Sequence, residues 1–293
     1  MRKIKVEEAK KLLWQAKMTM KKNWLSAREI LENGTKKYPE ELDLLRALGD
    51  LYMKKELHKK AIESYQKALK LAPQDEQLLF KNGNCLLMLD EFRLALDQYN
   101  QCEVDFPELT YNKAFAYYKL GKIEQSIDLM KKIVKLPQHS EMPLIFITEL
   151  CFIQRDYKAA IYYMEKAEKT FGPQANLQYL KGLAYFHQQS WLKAFLSFQK
   201  ADRLKFDSSN FLINYGIVAN KIGKYQLAED IFFRNIHLHP NEGQGYAELI
   251  NLFLQQKKLK AAEKIARQAK RQKAFSLSLS MAYNKLEKAK RHK

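Results

Sequence analysis

The sequence predicts an all-α protein built from repeated pairs of helices, and three observations support this prediction. The pattern of residues 42–75 recurs along most of the 293-residue chain. Apolar residues within the pattern follow the 3.6-residue period of an amphipathic helix. Ten Gly and seven Pro are few for this length, and the abundant Lys, Leu, Ala and Gln favour helix. We therefore expect no β-sheet.

The repeat has a characteristic kind of residue at several positions, which are counted from Leu42 as position 1. Positions 4, 7, 8 and 11 share one face of a first helix, and positions 20, 24 and 27 share one face of a second. Small residues at positions 8 and 20 should let the two helices approach, while the aromatic ring at position 24 fills the space between them. In this order, the seven positions and position 32 hold Leu45, Leu48, Gly49, Tyr52, Ala61, Tyr65, Ala68 and Pro73.

Eight such repeats can be laid along the chain. Their boundaries are 8–41, 42–75, 76–106, 107–140, 141–174, 175–208, 209–242 and 243–273. Residues 1–7 are predicted to form a basic lead-in, and residues 274–293 a basic capping helix and tail. Position 20 is small in every repeat, and reads Ala27, Ala61, Ala95, Ser126, Ala160, Ala194, Ala228 and Ala262.

Three places depart from the regular pattern. The first repeat has Trp14 at the core position 7 but Gln15 at position 8, which suits a terminal repeat with one side facing water. The fourth repeat fits only if the register slips back by three residues, so the connection before Pro107 is predicted to be short. The capping helix is predicted from an apolar stripe formed by Phe275, Leu279, Ala282, Tyr283 and Leu286.

These positions resemble those of the tetratricopeptide repeat family, and the resemblance covers residues 8 to about 273. It implies an α-solenoid, a right-handed superhelix of antiparallel helix pairs. In this family the first helices line a concave groove, where a peptide or helical segment of a partner binds. The resemblance therefore predicts a scaffold or adaptor for protein binding, and it does not identify the partner.

No sequence motif indicates catalysis, a cofactor or a metal. The chain has no phosphate-binding glycine loop, no GxSxG and no HExxH. Its three cysteines show no CxxC spacing, and His237 and His239 lack nearby cysteine or carboxylate partners. We expect a noncatalytic protein without cofactor or metal site.

The sequence predicts no integral membrane segment. The start of the chain has Glu7 and Glu8 where a secretion signal would need an apolar core. The most apolar run, residues 142–153, is shorter than the roughly 20 residues that a membrane-spanning helix needs. A cytoplasmic location is the default expectation.

The candidate partner site is the face of the first helices at positions 2, 5, 9 and 12, together with one asparagine at position 6. In the middle repeats this face carries large apolar residues where a simple amphipathic helix would be polar. The alternative is that neighbouring first helices bury part of it in ordinary packing, chiefly at positions 5 and 12. The predicted groove residues are Phe80, Asn84, Leu87, Tyr111, Asn112, Phe115, Tyr118, Met142, Ile145, Phe152, Tyr179, Leu183 and Phe186.

The asparagines invite comparison with the carboxylate clamp by which some family members hold the C-terminal EEVD of heat-shock chaperones. Asn84 and Asn112 match the two asparagines of that clamp. Its three cations are absent, because the corresponding positions hold Phe80, Met142 and Phe146. A terminal carboxylate would have no ionic partner, so chaperone-tail binding is not expected. The asparagines could bond a peptide backbone or be ordinary polar residues.

Positive charge is concentrated at the ends of the chain. The net charge is +5 over residues 1–41, +2 over residues 42–250 and +11 over residues 251–293, the last from 13 basic and 2 acidic side chains. These cations could be a solvated outer face or a contact for RNA, the ribosome or an anionic membrane. The candidates for a polyanion contact are Lys257, Lys258, Lys260, Lys264, Arg267, Lys270, Arg271 and Lys273.

Overall fold

A computed structural model describes residues 2–136 and 140–291, and within them it contains seventeen helices and no strand. The all-α solenoid prediction is confirmed. The helices are α1 (Arg2–Met20), α2 (Trp24–Lys37), α3 (Leu42–Lys54), α4 (His58–Leu71), α5 (Glu76–Met88), α6 (Phe92–Tyr99), α7 (Pro107–Lys119), α8 (Ile123–Ile133), α9 (Met142–Ile153), α10 (Tyr157–Phe171), α11 (Ala175–His187), α12 (Trp191–Arg203), α13 (Ser209–Lys221), α14 (Tyr225–Leu238), α15 (Gly243–Gln255), α16 (Leu259–Arg271) and α17 (Leu277–Arg291).

Each of the eight predicted repeats contains one helix pair, from α1 and α2 to α15 and α16, and α17 follows the last pair. The chain divides into two compact parts, which we call the N-terminal block (residues 1–143) and the C-terminal block (residues 144–293). Within each block, most second helices pack against their own first helix and the next one along the chain. Met1 of the predicted lead-in and residues 292–293 of the predicted tail lie outside the described residues.

The two helices of a pair approach most closely where a glycine at position 8 faces a ring at position 24. A methyl carbon placed on Gly49 would lie 2.5 Å from the Tyr65 ring, and one on Gly182 would lie 2.3 Å from the Phe198 ring. The same overlap occurs between Gly83 and Tyr99 and between Gly216 and Phe232. Only glycine leaves room for these rings, all of which are buried. We call this arrangement the glycine–ring contact.

Other repeats have a different pair of residues at these two positions. Position 8 is larger than glycine in them, and position 24 is not aromatic. The pairs at positions 8 and 24 are Gln15 and Leu31, Ala114 and Met130, Thr148 and Met164, and Ile250 and Ala266. Position 20 is fully buried in all eight repeats.

The apolar face of the first helices is wider than the sequence pattern indicated. Positions 3 and 10 are buried in every repeat from the second to the eighth, although the prediction used only positions 4, 7, 8 and 11. Leu44 at position 3 shows why, since its side chain lies 3.4 Å from a methyl carbon placed on Gly34 of the preceding repeat. The buried residues at position 10 are Leu51, Cys85, Ala116, Leu150, Ala184, Val218 and Leu252.

From the second repeat to the eighth, the turn between the two helices of a pair uses a left-handed backbone at position 15. Gly121 and Gly223 adopt it with φ of 75° and 80°, as glycine does without strain. The other five repeats from the second to the eighth use a residue with a side chain. Those residues are Glu56, Asp90, Arg155, Gln189 and Lys257.

The first repeat differs from its prediction in two ways. Helix α1 begins at Arg2, so residues 2–7 are helical and do not form a separate lead-in. Trp14 is 60% exposed, so its assignment to the core is wrong. Ala9 and Ala16 are buried instead. These small residues suit the close contact that α1 makes with α2, and the large indole of Trp14 remains outside.

The predicted short connection before Pro107 is wrong as well. Helix α6 has only eight residues and ends at Tyr99, so residues 100–106 form a long connection before α7. The third repeat is shorter than the reference repeat, and the shortening lies in its second helix. Phe106 occupies part of the space, because its ring packs edge to face on Phe80 at 5.0 Å.

The capping helix exists but does not use all of its predicted stripe. Helix α17 begins at Leu277 and packs on α15 and α16 through Leu279, Ala282 and Leu286, which are buried. Phe275 precedes the helix and is exposed, so its place in the buried stripe is wrong.

Candidate functional site

The predicted groove residues lie on the first helices α5, α7, α9 and α11, and none of them is fully buried. Met142 is exposed and the other twelve are half-buried. They fall into both blocks, from Phe80 to Met142 in the N-terminal block and from Ile145 to Phe186 in the C-terminal block. We describe the two sets separately.

At position 5, two predicted groove residues are part of the packing between helices. The Phe80 ring contacts the rings of Tyr99 and Phe106. The Tyr179 ring stacks on Phe206 at 4.9 Å and also contacts Phe198 and Phe211. Phe206 stands where other repeats have proline, and this stacking accounts for the replacement. Replacing Phe80 or Tyr179 would therefore change the stability of the protein as well as the predicted groove.

The two asparagines of the predicted groove bond to each other between adjacent first helices. Asn84 Oδ1 on α5 accepts a hydrogen bond from Asn112 Nδ2 on α7 at 2.8 Å, and another from the Tyr99 hydroxyl at 2.7 Å. Burial raises the pKa of Tyr99, so its hydroxyl stays protonated as a donor. Neither Asn84 Nδ2 nor Asn112 Oδ1 has a hydrogen-bond partner within residues 2–136 and 140–291. The pair leaves the Asn84 amide nitrogen as a donor group and the Asn112 amide oxygen as an acceptor for a ligand.

Aromatic rings continue the same face along α7. Phe115 and Tyr118 lie edge to face with ring centres 6.3 Å apart, and the Lys119 ammonium lies over both rings at 5.3 and 5.9 Å. Tyr111, Asn112 and Met142 also line a cavity of about 380 Å³ within residues 107–143. Apolar surface with a few polar groups is the usual make-up of a binding site. We call the residues Asn84, Leu87, Tyr111, Asn112, Phe115 and Tyr118 the α5–α7 face.

In the C-terminal block, a row of rings runs between two neighbouring repeats. Phe152 contacts Tyr157 at 5.6 Å, and Tyr157 stacks on His187 at 4.8 Å. Phe186 then contacts His187 and Trp191, at 5.9 and 5.5 Å. The sequence prediction included Phe152 and Phe186 but missed the three residues between and beyond them. A signal existed, since position 17, the first residue of the second helix, holds a large side chain in every repeat from the second to the eighth.

The eight predicted polyanion contacts are all exposed and lie on or beside α16. Four of them, Lys260, Lys264, Arg267 and Arg271, are spaced by four, three and four residues and so share one face of α16. That face is opposite the buried Ala262, Ile265, Ala266 and Ala269. Lys258 and Lys270 lie over the rings of Phe253 and Tyr283. We call the four aligned cations the α16 ridge.

Among the described residues, the cysteines and histidines do not form a reactive cluster. Cys85 and Cys151 are buried, Cys102 is half-buried, and none of the three is in a disulfide. Burial raises the pKa of the Cys85 thiol to about 11, which disfavours the nucleophilic thiolate. His237 is exposed. His239 Nδ1 lies 3.7 Å from the Glu242 carboxylate, so the prediction that His239 has no nearby carboxylate partner is wrong. In the part of the chain that the structure describes, no group of three His, Cys, Asp or Glu could hold a metal.

Comparison with known proteins identifies the family. Models of the tetratricopeptide repeat match residues 43–75, 107–139 and 154–209. The chain is a tetratricopeptide repeat protein. Tetratricopeptide repeats indicate a scaffold for protein–protein interaction in general. Within the described residues, no helix is both long and apolar enough to cross a membrane.

Solved tetratricopeptide repeat structures share this fold. One from Parabacteroides merdae is 18% identical with a TM-score of 0.57, over 85% of this chain and 99% of that one. The C-terminal part of a tetratricopeptide repeat-containing protein from Cytophaga hutchinsonii is 16% identical with a TM-score of 0.68, over 80% and 97%. At these identities the likeness shows the fold alone.

One curated protein is similar over a shorter stretch. The bovine BBSome complex member BBS4 is 33% identical over 88 residues, which are 29% of this chain and 17% of that protein. The matched stretch is therefore a minor part of both proteins.

Proposed function

We propose that this tetratricopeptide repeat protein is a noncatalytic adaptor that binds an extended or helical segment of a protein partner on the α5–α7 face. The observation that carries the proposal is the Asn84–Asn112 pair beside the half-buried rings of Phe115 and Tyr118. It combines directional hydrogen bonding with apolar surface, and peptide recognition needs both. The rest of the predicted groove, from Ile145 to Phe186, would provide a second contact area in the C-terminal block.

The asparagine pair matches the hydrogen-bonding groups of a peptide. Each peptide residue other than proline presents one N–H donor and one C=O acceptor. Asn112 Oδ1 can accept from the peptide N–H, and Asn84 Nδ2 can donate to its carbonyl. Because the Tyr99 hydroxyl and the mutual bond orient both amides, little side-chain entropy is lost when a peptide binds. The rings along α7 would then receive apolar side chains of the same peptide.

A peptide selection tests this proposal without a known partner. Peptides selected from a random phage-displayed library on the full-length protein should bind it and protect α5 and α7 from hydrogen exchange. The double variant Phe115→Ser/Tyr118→Ser should bind the selected peptides roughly 30-fold more weakly, since loss of aromatic anchors typically costs about 2 kcal/mol or more. Both residues are half-buried, so its thermal unfolding is measured in parallel.

The matched control carries the same kind of change outside the α5–α7 face. Leu94 and Val104 are exposed apolar residues of the N-terminal block, and Leu94→Ser/Val104→Ser should keep full affinity. A selection that yields no binding peptide would overturn the proposal. Equal loss of affinity in both double variants, or hydrogen-exchange protection confined to other helices, would also overturn it.

A second candidate function is electrostatic binding of a polyanion by the α16 ridge. The specific observation is the alignment of four exposed cations on one face, within a segment of net charge +11 that has 13 basic and 2 acidic side chains. Binding of a polyanionic nucleic acid to such a ridge should weaken linearly in log affinity with log salt, by about 0.7 to 0.9 per phosphate contact. Replacing the four cations by Gln should remove this slope. A salt slope unchanged by the replacement would exclude the ridge.

A further inference from the structure

The connection between α16 and α17 carries the most exposed large apolar side chain among the described residues. Phe275 is 81% exposed, Leu277 is 76% exposed and Met281 is 59% exposed. Leu277 and Met281 are four residues apart and share the outer face of α17. A single exposed apolar residue is ordinary, whereas a contiguous exposed apolar patch indicates a surface for binding. We call these three residues the apolar tip.

The backbone of the apolar tip is held in place while its side chains face outward. The Gly243 N–H donates to the Phe275 carbonyl at 3.3 Å, and the Leu279 N–H donates to Ser276 Oγ at 3.0 Å. A methyl carbon on Gly243 would lie 2.7 Å from the Phe275 backbone, so this approach requires glycine. The exposure of Phe275 therefore does not result from a frayed helix end.

The packing of α17 does not depend on the apolar tip. Leu279, Ala282 and Leu286 are buried on the opposite side, and the Tyr283 hydroxyl donates to the Ala266 carbonyl at 3.4 Å. Lys290 also connects α17 to the preceding repeat, with its ammonium 3.7 Å from the Glu263 carboxylate. The three exposed side chains can thus be changed without removing these contacts.

The charged side chains beside the apolar tip are mostly positive, with the exposed Glu242 as an acidic neighbour of Phe275. Arg271, the last residue of the α16 ridge, and Lys273 precede Phe275 by four and two residues, and both are exposed. Lys288 follows Met281 on the exposed face of α17. The complementary surface is therefore anionic and able to accept apolar side chains.

We propose that the apolar tip and its neighbouring cations bind the surface of a membrane that contains anionic lipids. Phe275, Leu277 and Met281 would enter the boundary between headgroups and acyl chains, while Arg271 and Lys273 contact lipid phosphates. The inference rests on the second candidate function above and names its polyanion. Combined apolar and electrostatic contacts are the physical basis of stable peripheral membrane binding.

The apolar tip favours lipid over nucleic acid and over a protein groove. Leu277 and Met281 have no flat ring to stack on a base, so they would add nothing to RNA binding. A protein partner would need a concave surface to receive three projecting side chains on a rigid backbone. A fluid bilayer accepts them without a preformed shape.

Vesicle binding tests the inference with the full-length protein. Sedimentation with phosphatidylcholine vesicles, with and without phosphatidylserine, should show binding only when phosphatidylserine is present. Phe275→Ser/Leu277→Ser/Met281→Ser should weaken this binding by roughly tenfold or more. Arg271→Gln/Lys273→Gln should weaken it by about fivefold per lost cation. The matched control is Tyr162→Ser/Leu192→Ser/Leu196→Ser, which removes three exposed large side chains elsewhere and should have no effect.

Single-stranded RNA serves as the competing polyanion. If RNA binds tightly and the serine variant of the apolar tip leaves RNA binding unchanged while vesicles do not bind, the polyanion function stands and the lipid inference is overturned. If neither vesicles nor RNA bind at low salt, both are overturned. Equal binding to neutral and anionic vesicles, or equal loss in the control variant, would also overturn the inference.

Discussion

The two blocks use the same glycine–ring contact with different rings. In the N-terminal block the ring belongs to tyrosine, at Tyr65 and Tyr99, and in the C-terminal block it belongs to phenylalanine, at Phe198 and Phe232. Position 9 changes with the ring. The hydroxyls of Tyr65 and Tyr99 donate to Asp50 and Asn84 at 2.7 Å, whereas the phenylalanine repeats have Leu183 and Ile217 at position 9.

The difference shows how a buried residue determines the polarity of a surface. A ring lying over the glycine extends its far end to the next residue of the first helix, so that residue must suit the ring. The polar residue at position 9 then accepts a hydrogen bond from the next first helix. Asp50 accepts from Lys81 at 2.8 Å, and Asn84 accepts from Asn112. The hydrogen-bonding pair of the proposed site is thus a consequence of Tyr99 in the core.

The largest expected effect comes from removing a ring of the glycine–ring contact. Phe198 is fully buried and contacts Tyr179, Phe211 and Tyr215. Phe198→Ala should lower the free energy of unfolding by about 3–5 kcal/mol, because it leaves a cavity in the core. Chemical denaturation measures this, with the exposed Leu196→Ala as control. A loss below about 1 kcal/mol would show that the ring does not organise the repeat.

Adding one methyl group at the glycine should have the next largest effect. Gly182→Ala places a carbon 2.3 Å from the Phe198 ring, and such overpacking should cost about 1–3 kcal/mol. Phe198→Leu in the same chain should recover part of the loss, since the repeats with larger residues at position 8 have smaller ones at position 24. A double-mutant cycle measures the coupling. Strict additivity of the two changes would contradict the size compensation.

The sequence predicts these contacts well because they recur within single helix pairs. Position 20 is small in every repeat, and the four glycines of the glycine–ring contacts face rings at the same spacing. The contacts between repeats are less visible. The bond from Asn112 to Asn84 depends on the distance between α5 and α7, and the stacking of Tyr157 on His187 joins positions 17 and 13 of different repeats. Neither spacing is regular along one helix, so periodicity cannot reveal them.

The end regions were predicted least well, for a physical reason. Trp14 was assigned to the core and Phe275 to the buried stripe by extending the pattern of the inner repeats. In both regions other residues are buried instead, Ala9 and Ala16 in α1 and Leu279, Ala282 and Leu286 in α17. Residue type and spacing alone do not distinguish a large side chain that packs inward from one that stays outside.

Exchanging the ring type should test the link between position 24 and position 9. Phe198→Tyr would bury a hydroxyl beside Leu183 without a partner, which should cost about 1–3 kcal/mol. Leu183→Asn in the same chain should restore stability by supplying the acceptor that Asn84 supplies in the N-terminal block. The readout is the midpoint of urea unfolding for Phe198→Tyr, for Leu183→Asn and for the double variant. A double variant less stable than Phe198→Tyr alone would show that the two positions are independent.

The smallest effect is expected from the reverse change in the N-terminal block. Tyr99→Phe removes one of the two hydrogen bonds that Asn84 Oδ1 accepts, while the bond from Asn112 Nδ2 remains. Because Asn84 stays paired, the loss should be only about 0.5–1.5 kcal/mol, the usual contribution of a neutral hydrogen bond. Tyr65→Phe should cost more, since its hydroxyl donates to the Asp50 carboxylate, and bonds to charged groups contribute about 1.5–3 kcal/mol. Denaturation of the two variants in the same buffer gives the difference. An equal or larger loss in Tyr99→Phe would mean that the hydroxyl itself, and not the Asn112 bond, orients the asparagine pair.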